Sequence, residues 1–431
     1  MNLPRLLGAL TALALVSAGA PSSGQTLAAP AQRPGQGLFD RSHRGTQSLD
    51  VSVSVSDAYD DDALADGETG GGPRQSGSFG SAATSVAYSK KLRYAQIVAS
   101  EGSAVRYYPS LTDLVAVQHD AKAGIAFQAG GISLNVSQAL AYRPLFAFAA
   151  VPQLFESGVG DLPPITSDQT TVRHDQRSYS TNVDFSEALG RRTTLSLSGA
   201  FQKTAFQADA IDQTALSLAG HLSRNLTRDL SLVGGFKYQQ GTYASVVAGA
   251  GQAAGIHSID IGVDYSRALG RTRRTTIGFT SGTSGVEQAG QPTGYTMTGN
   301  ARLNRDIGRT GHATMAFTRG VGFVDGFPQP LVSDSIATSL GGSINRRLEV
   351  TLSSGLSRGQ FGLAAGAAQN DTYRGSARLR LGISRTVALS GEYFYYHYRF
   401  SDGAVLPAGV PSALDRQGFR LGLDFWLPVI R

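Results

Sequence analysis

The chain contains no cysteine, which excludes disulfides, thiolate metal sites and cysteine nucleophiles while leaving the redox compartment open. Charge is scarce as well: 16% of the 431 residues are Asp, Glu, Lys or Arg, against about 25% in an ordinary globular chain. The net charge of +6 is dispersed along the sequence. A nucleic-acid binder gathers its basic residues on one face or in one run, so no nucleic-acid partner is expected. Long hydrophobic runs are missing apart from Leu6–Ala18 near the N-terminus, and a membrane helix needs about 20 apolar residues. If this polypeptide crosses a bilayer, it does so with strands.

Glycine is abundant, at 53 residues, well above the usual share of about 7%, and serine and threonine accompany it. This is the composition of two-faced strands and many turns. The first residues read as a secretory signal over 1–30: Arg5 supplies the positive start, Leu6–Ala18 the apolar stretch, and Ala18, Gly19 and Ala20 the small residues before cleavage. A flexible segment, 31–46, is expected to precede a single sheet domain over 47–431.

A five-residue pattern recurs eight times: an apolar residue, Ser or Asn, a usually charged or amide residue, any residue, then Leu, Ile or Val. It occupies Tyr88–Leu92, Val136–Leu140, Phe185–Leu189, Leu222–Leu226, Tyr265–Leu269, Leu303–Ile307, Ile344–Leu348 and Ile383–Val387. The mean spacing is about 42 residues, within the range of repeat architectures. The flanks alternate. Tyr179, Thr181, Val183 and Phe185 interleave with Ser180, Asn182, Asp184 and Ser186, and Leu379, Leu381 and Ile383 with Arg378, Arg380 and Gly382. A period of two places successive side chains on opposite faces of a strand.

Each pentapeptide therefore predicts a short turn between antiparallel strands, with Ser or Asn bonding nearby backbone. The opposite connections are longer and richer in Gly, Pro and acid: 57–74, 151–175, 321–334 and 401–416. Short turns at one rim and long loops at the other are the asymmetry of outer-membrane barrels. Eight hairpins, a first strand near 47–56 and a last near 417–427 predict a transmembrane antiparallel β-barrel of about 18 strands, within 16–20. The segments Val105–Tyr108 and Leu114–Val117 fit either loop or strand.

In hydrocarbon an unpaired backbone group costs several kcal/mol, so only a closed sheet survives there. The Leu, Ile, Val, Tyr and Phe face would meet lipid, and the Ser, Thr, Asn, Asp and Arg face would line the interior. Tyr88, Phe185 and Tyr265 suit an interfacial aromatic girdle. A β-propeller also repeats every 40–45 residues, but its blades hold four short strands, whereas each repeat here holds two of about ten residues. Propeller dipeptides are absent, and Trp426 is the sole tryptophan.

Segments such as His221–Leu232 (HLSRNLTRDLSL) resemble the repeated hairpins of outer-membrane β-barrel porin families, often found near exopolysaccharide or exosortase genes in proteobacteria. The resemblance implies a Gram-negative outer-membrane location, insertion by the barrel-assembly machinery, and contact with outer-membrane lipids and lipopolysaccharide. It says little about substrate. The chain departs from many such barrels at its end, where Phe425 and Trp426 precede Leu-Pro-Val-Ile-Arg431 instead of a terminal aromatic.

Signs of catalysis are weak. The G-x-S-x-G elbow is absent, and the seven histidines lack ligand spacing; His221 is expected to face the lumen near a turn. The glycine clusters at 249–251 and 320–322 are followed by neither a helix nor Gly-Lys-Ser/Thr, so no cofactor is expected. The acidic run Asp57, Asp60, Asp61, Asp62, Asp66 and Glu68 reads first as a solvated external loop, and more weakly as a Ca²⁺ site or an ion bridge to lipopolysaccharide.

The pore-lining candidates are Arg378, Arg380, Arg420, Asp424, Glu392, Asp260 and Asp264. Arginines lining a pore favour anions; alternatively they pair with Glu392 and Asp424 in a ladder that fixes barrel shape. The aromatic run Tyr393–Tyr398 fits either an extracellular girdle or a stacking surface for sugars. The leading expectation is passage of small hydrophilic solutes, with a link to exopolysaccharide export. A closed structural or adhesion barrel with ligand-binding loops is the alternative, and an outer-membrane hydrolase a second.

Overall fold

The computed structural model describes residues 46–61, 76–109, 114–143, 146–147, 170–172, 175–206, 212–244, 252–268, 274–288, 292–308, 310–324, 327, 329–363, 367–401, 406 and 411–430. Residues 1–45, where the signal and N-terminal segment are expected, lie outside these residues. The strands are β1 (Gln47–Asp60), β2 (Gly77–Lys91), β3 (Ala95–Tyr108), β4 (Leu114–Ala129), β5 (Ile132–Arg143), β6 (Phe146–Ala147), β7 (Thr170–Val172), β8 (Gln176–Ala188), β9 (Thr193–Phe206) and β10 (Asp212–Asn225). They continue as β11 (Leu230–Ala244), β12 (Gln252–Ala268), β13 (Arg274–Gln288), β14 (Gly294–Ile307), β15 (Gly311–Gly322), β16 (Leu331–Ser343), β17 (Leu348–Phe361), β18 (Gln369–Gly382), β19 (Val387–Phe400) and β20 (Ala413–Ile430). No helix occurs among the described residues.

Eighteen of these strands form one sheet in which each is antiparallel to its chain neighbour, and β6 and β7 pair separately within the β5–β8 connection. The sheet closes because β1 pairs with β2 on one side and β20 on the other. The closing ladder runs from Leu49–Ile430 to Asp60–Gly418 with one register shift at Leu49/Asp50, beside Pro428. Proline donates no ladder hydrogen bond and is tolerated at such an irregularity. The segment after Phe425 and Trp426 is thus part of the closing strand.

Eighteen strands is the expected number, although one turn lies elsewhere than predicted. Val136–Leu140 sits inside β5; the actual turn is Gly130-Gly131, between the paired Ala129 and Ile132. Gly130 has φ +60°, as the first position of a two-residue type II′ hairpin requires. The pentapeptide misled because its alternation suits a strand as well as a strand end, whereas a two-glycine turn leaves no such pattern. Leu303–Ile307 ends flush with β14, and the remaining copies reach across a strand end. At Asn345 the side chain accepts from the backbone N–H of Arg347 (2.7 Å) and Leu348 (2.9 Å), and Thr227 does the same for Asp229 and Leu230. Val105–Tyr108 and Leu114–Val117 are strand, at the end of β3 and the start of β4.

Alternation separates two surfaces. The outward parity carries Ile259 and Ile261 in mid-strand at 66% and 64% exposure, which water would penalise and hydrocarbon would not. Tyrosines 59, 107, 179, 295, 373 and 393 stand on this outward parity toward the long-loop rim, and Tyr88, Phe185, Tyr265 and Phe425 toward the short-turn rim. Two aromatic girdles therefore flank an apolar band. On the inward parity, hydroxyls satisfy each other across strands: Ser56–Ser81 at 2.6 Å, Ser258–Ser284 at 2.7 Å and Ser353–Ser376 at 2.7 Å.

Candidate functional site

The inner surface of the barrel differs at its two ends. Toward the short turns it is lined by hydroxyls and charges. Arg378, Glu392 and Arg420 are register partners on β18, β19 and β20. Arg420 Nη1 lies 3.8 Å from Glu392 Oε2, Arg380 Nε 3.5 Å from Asp424 Oδ2, and Arg378 Nη2 3.9 Å from the same oxygen. Arg378 and Arg380 reach over β19 because the inward residues between them and Asp424 are the small Ala388 and Ser390. These five residues form two adjacent ion-pair groups in which three guanidinium groups face two carboxylates.

Asp260 and Asp264 also take the inward parity but stand on β12, seven strands from β19 around the ring. His221 Nδ1 approaches Asp260 Oδ2 at 4.0 Å. The seven candidates therefore form two separate patches on different walls, a separation that sequence cannot encode because it depends on lateral strand order.

Toward the long loops the lumen carries an apolar partition, which the sequence did not reveal. Phe327, from the β15–β16 connection, stacks on Phe361 at 4.5 Å and Phe400 at 5.9 Å between ring centroids. Leu331, Tyr396, Tyr398 and Leu414 complete the buried cluster, and Phe206 of β9 packs against it. Since β9 and β19 are at least eight strands apart in either direction, this contact crosses the lumen. A second cluster joins Ile256, Val286, Val321 and Val332 with Phe323 and Leu363. Two glycines make room for it. A Cβ at Gly241 would meet the Phe323 ring at 2.8 Å, and one at Gly294 would meet Leu363 Cδ1 at 2.5 Å.

The β19 aromatic run divides between the two surfaces. Phe394, Tyr396, Tyr398 and Phe400 are buried inside, whereas Tyr393 is 45% exposed on the outer face. The acidic run divides too. Asp60 is fully buried and accepts two hydrogen bonds from the equally buried Arg416, that from Nε at 2.6 Å. Asp61 Oδ1 accepts from the Gln417 N–H at 2.7 Å. These two carboxylates pin β1 to β20 rather than hang in a solvated loop; Asp62, Asp66 and Glu68 lie outside the described residues.

One constellation with a nucleophile and a base escaped the sequence analysis because the pairing of β3 with β4 brings its members together. Ser103 Oγ donates to Glu101 Oε1 at 2.6 Å and lies 2.8 Å from His119 Nδ1. A hydrolytic triad places the base between nucleophile and acid. Here the serine stands in the middle, and the three satisfy one another as a hydrogen-bonded chain on the outer face. Among the described residues no group of His, Asp or Glu has the clustering of a metal site.

No protein-family model matches the chain, and no curated protein matches it by sequence. Among solved structures it is similar to OpdL of Pseudomonas aeruginosa (13% identity, TM-score 0.46, covering 89% of this chain and 99% of that one). It is also similar to OccAB4 of Acinetobacter baumannii (12%, 0.42, 88% and 98%) and to the siderophore receptor PirA of P. aeruginosa (9%, 0.46, 89% and 81%). The barrel described above rests on its own hydrogen-bond ladder.

Proposed function

We propose that this chain is an outer-membrane barrel of a Gram-negative bacterium that passes small hydrophilic solutes, with the apolar partition as its narrowest region. One observation carries the reading: an unbroken ring of 18 strands with an apolar outer band and a polar inner wall. Rings of 16–18 strands are wide enough for an aqueous channel unless something fills them. Catalysis is not needed for such a role. Connection with exopolysaccharide export rests on the sequence resemblance alone, and barrel-assembly machinery as the insertion partner follows from the membrane reading.

The charged groups at the short-turn end supply selectivity in this reading. Three arginines against two carboxylates leave a mild local excess of positive charge, favouring small anions. The partition supports a second reading, a closed structural or adhesion barrel that conducts nothing.

Planar-bilayer recording separates the two. The transport reading expects small, discrete conductance steps from the wild type and larger ones from Phe327→Ala, which opens the stack between Phe361 and Phe400. Replacing Arg378 and Arg420 with Gln should move the reversal potential toward cation preference. A correctly folded barrel silent both as wild type and as Phe327→Ala would favour the closed reading.

A further inference from the structure

Two consecutive cross-strand rows on the outer face of β3, β4, β5, β8 and β9 break the apolar pattern found elsewhere. One row is Glu101, Ala121, Leu140, Tyr179 and Lys203; the other is Ser103, His119, Tyr142, Arg177 and Ala205. All of these but Ser103, which adjoins Glu101 and His119, line a depression of about 560 Å³. Its position follows from strand lengths. The β4–β5 ladder stops at His119–Tyr142 and β5 ends one residue on at Arg143, so the first four residues of β4, Leu114–Val117, rise past the end of β5. The rows run along the foot of that step, at the level of the outer tyrosines.

Two outward arginines elsewhere at this rim pair across strands: Arg319 with Asp334 at 3.4 Å and Arg358 with Asp371 at 3.5 Å. In the depression, Arg177 and Lys203 enter no ion pair among the described residues, and Glu101 is engaged by Ser103. Two cations with no ion pair among the described residues, beside an Asp175 carboxylate already engaged by Tyr142 at 3.1 Å, leave room on a surface facing lipid headgroups for an anion from the membrane side. Adjacent strands are about 4.8 Å apart, so the rows extend about 19 Å from Glu101 to Lys203. That length takes a headgroup larger than one phosphate.

We propose that this depression binds a phosphate-bearing glycolipid of the outer leaflet. Arg177 and Lys203 hold the phosphate by charge-assisted hydrogen bonds. The Glu101–Ser103–His119 chain meets sugar hydroxyls, which donate to the second carboxylate oxygen of Glu101 and to His119 Nε2 without breaking it. Leu140 within the depression, with Val136, Val183 and Phe201 further along the same outward faces, gives the acyl chains an apolar track toward the opposite girdle. The proposal rests on the membrane reading but not on transport, so conductance is expected to be unchanged by the substitutions below.

The test uses the whole refolded barrel in neutral detergent micelles. Native mass spectrometry and thermal unfolding are followed as a phosphorylated, acylated disaccharide is added, with its dephosphorylated counterpart and inorganic phosphate in parallel arms. The phosphorylated lipid should bind and raise the unfolding temperature, and the other two should not. Arg177→Gln with Lys203→Gln should weaken its binding about tenfold or more, and Ser103→Ala by less. Arg319→Gln, at the same rim on another sector, should change nothing. Equal binding of the dephosphorylated lipid, a response to phosphate alone, unchanged binding by the double variant, or a second copy of the chain occupying these strands would each overturn the proposal.

Discussion

Leu379 and Arg380 are neighbours in sequence and face different surroundings. Leu379 is 53% exposed on the outer face; Arg380 turns inward to Asp424. Leu379→Arg should therefore cost about 2–4 kcal/mol if the band lies in lipid near its midplane. Arg380→Leu should fold almost normally, because Arg378 still reaches Asp424 at 3.9 Å. Urea titration in lipid vesicles checks the pair, and exchanged phenotypes would mean a register displaced by one residue. Facing was legible at this scale because a period of two leaves a side chain only two choices. Partners were not: nothing near Asp424 in the sequence says that two arginines from β18 reach it over β19.

Among the elements, the turns show where pattern reading succeeds and fails. Asn345 was recognisable as a turn residue, and its side chain does hold two backbone N–H groups. Asn345→Ala should cost about 1 kcal/mol. Gly130 was overlooked in favour of Val136–Leu140, yet its φ of +60° is one that a β-branched residue resists. Gly130→Val should cost about 1–2 kcal/mol and lower refolding yield more than Asn345→Ala does, which heat-modifiability on gels would read out. Strand β19 teaches the same lesson in another form. Its consecutive rings fitted either a girdle or a lumen surface, and the structure assigns alternate rings to each. Alternation in an all-aromatic run carries no polarity, so only packing against Phe327 and Phe361 decides which face is inner.

For the whole molecule, closure is the decisive event. It brings together residues 356 apart in the chain, Asp60 and Arg416, as a fully buried ion pair at the seam. Removing one partner of such a pair leaves a buried charge uncompensated, so Asp60→Ala should cost about 3–5 kcal/mol. Asp57→Ala, outward and exposed three residues away, should cost little. Thermal unfolding of both in the same detergent is the check; equal loss would mean that the seam pair adds nothing to closure.

The sequence by itself determined the strand number, the two-faced character of each strand and the asymmetry of the rims. These follow from local periodicity and turn chemistry, which act within about ten residues. It also singled out seven charged candidates for the inner wall. Only the tertiary structure decided that those charges separate into a β18–β20 set and a β12 patch. The same holds for Asp60 at the seam, the partition across the lumen, and the juxtaposition of Glu101, Ser103 and His119 with Arg177 and Lys203 on the outer face. Each of these depends on which strands lie side by side around a closed ring and on what the connections fold into. A pattern that repeats every two residues carries no record of either.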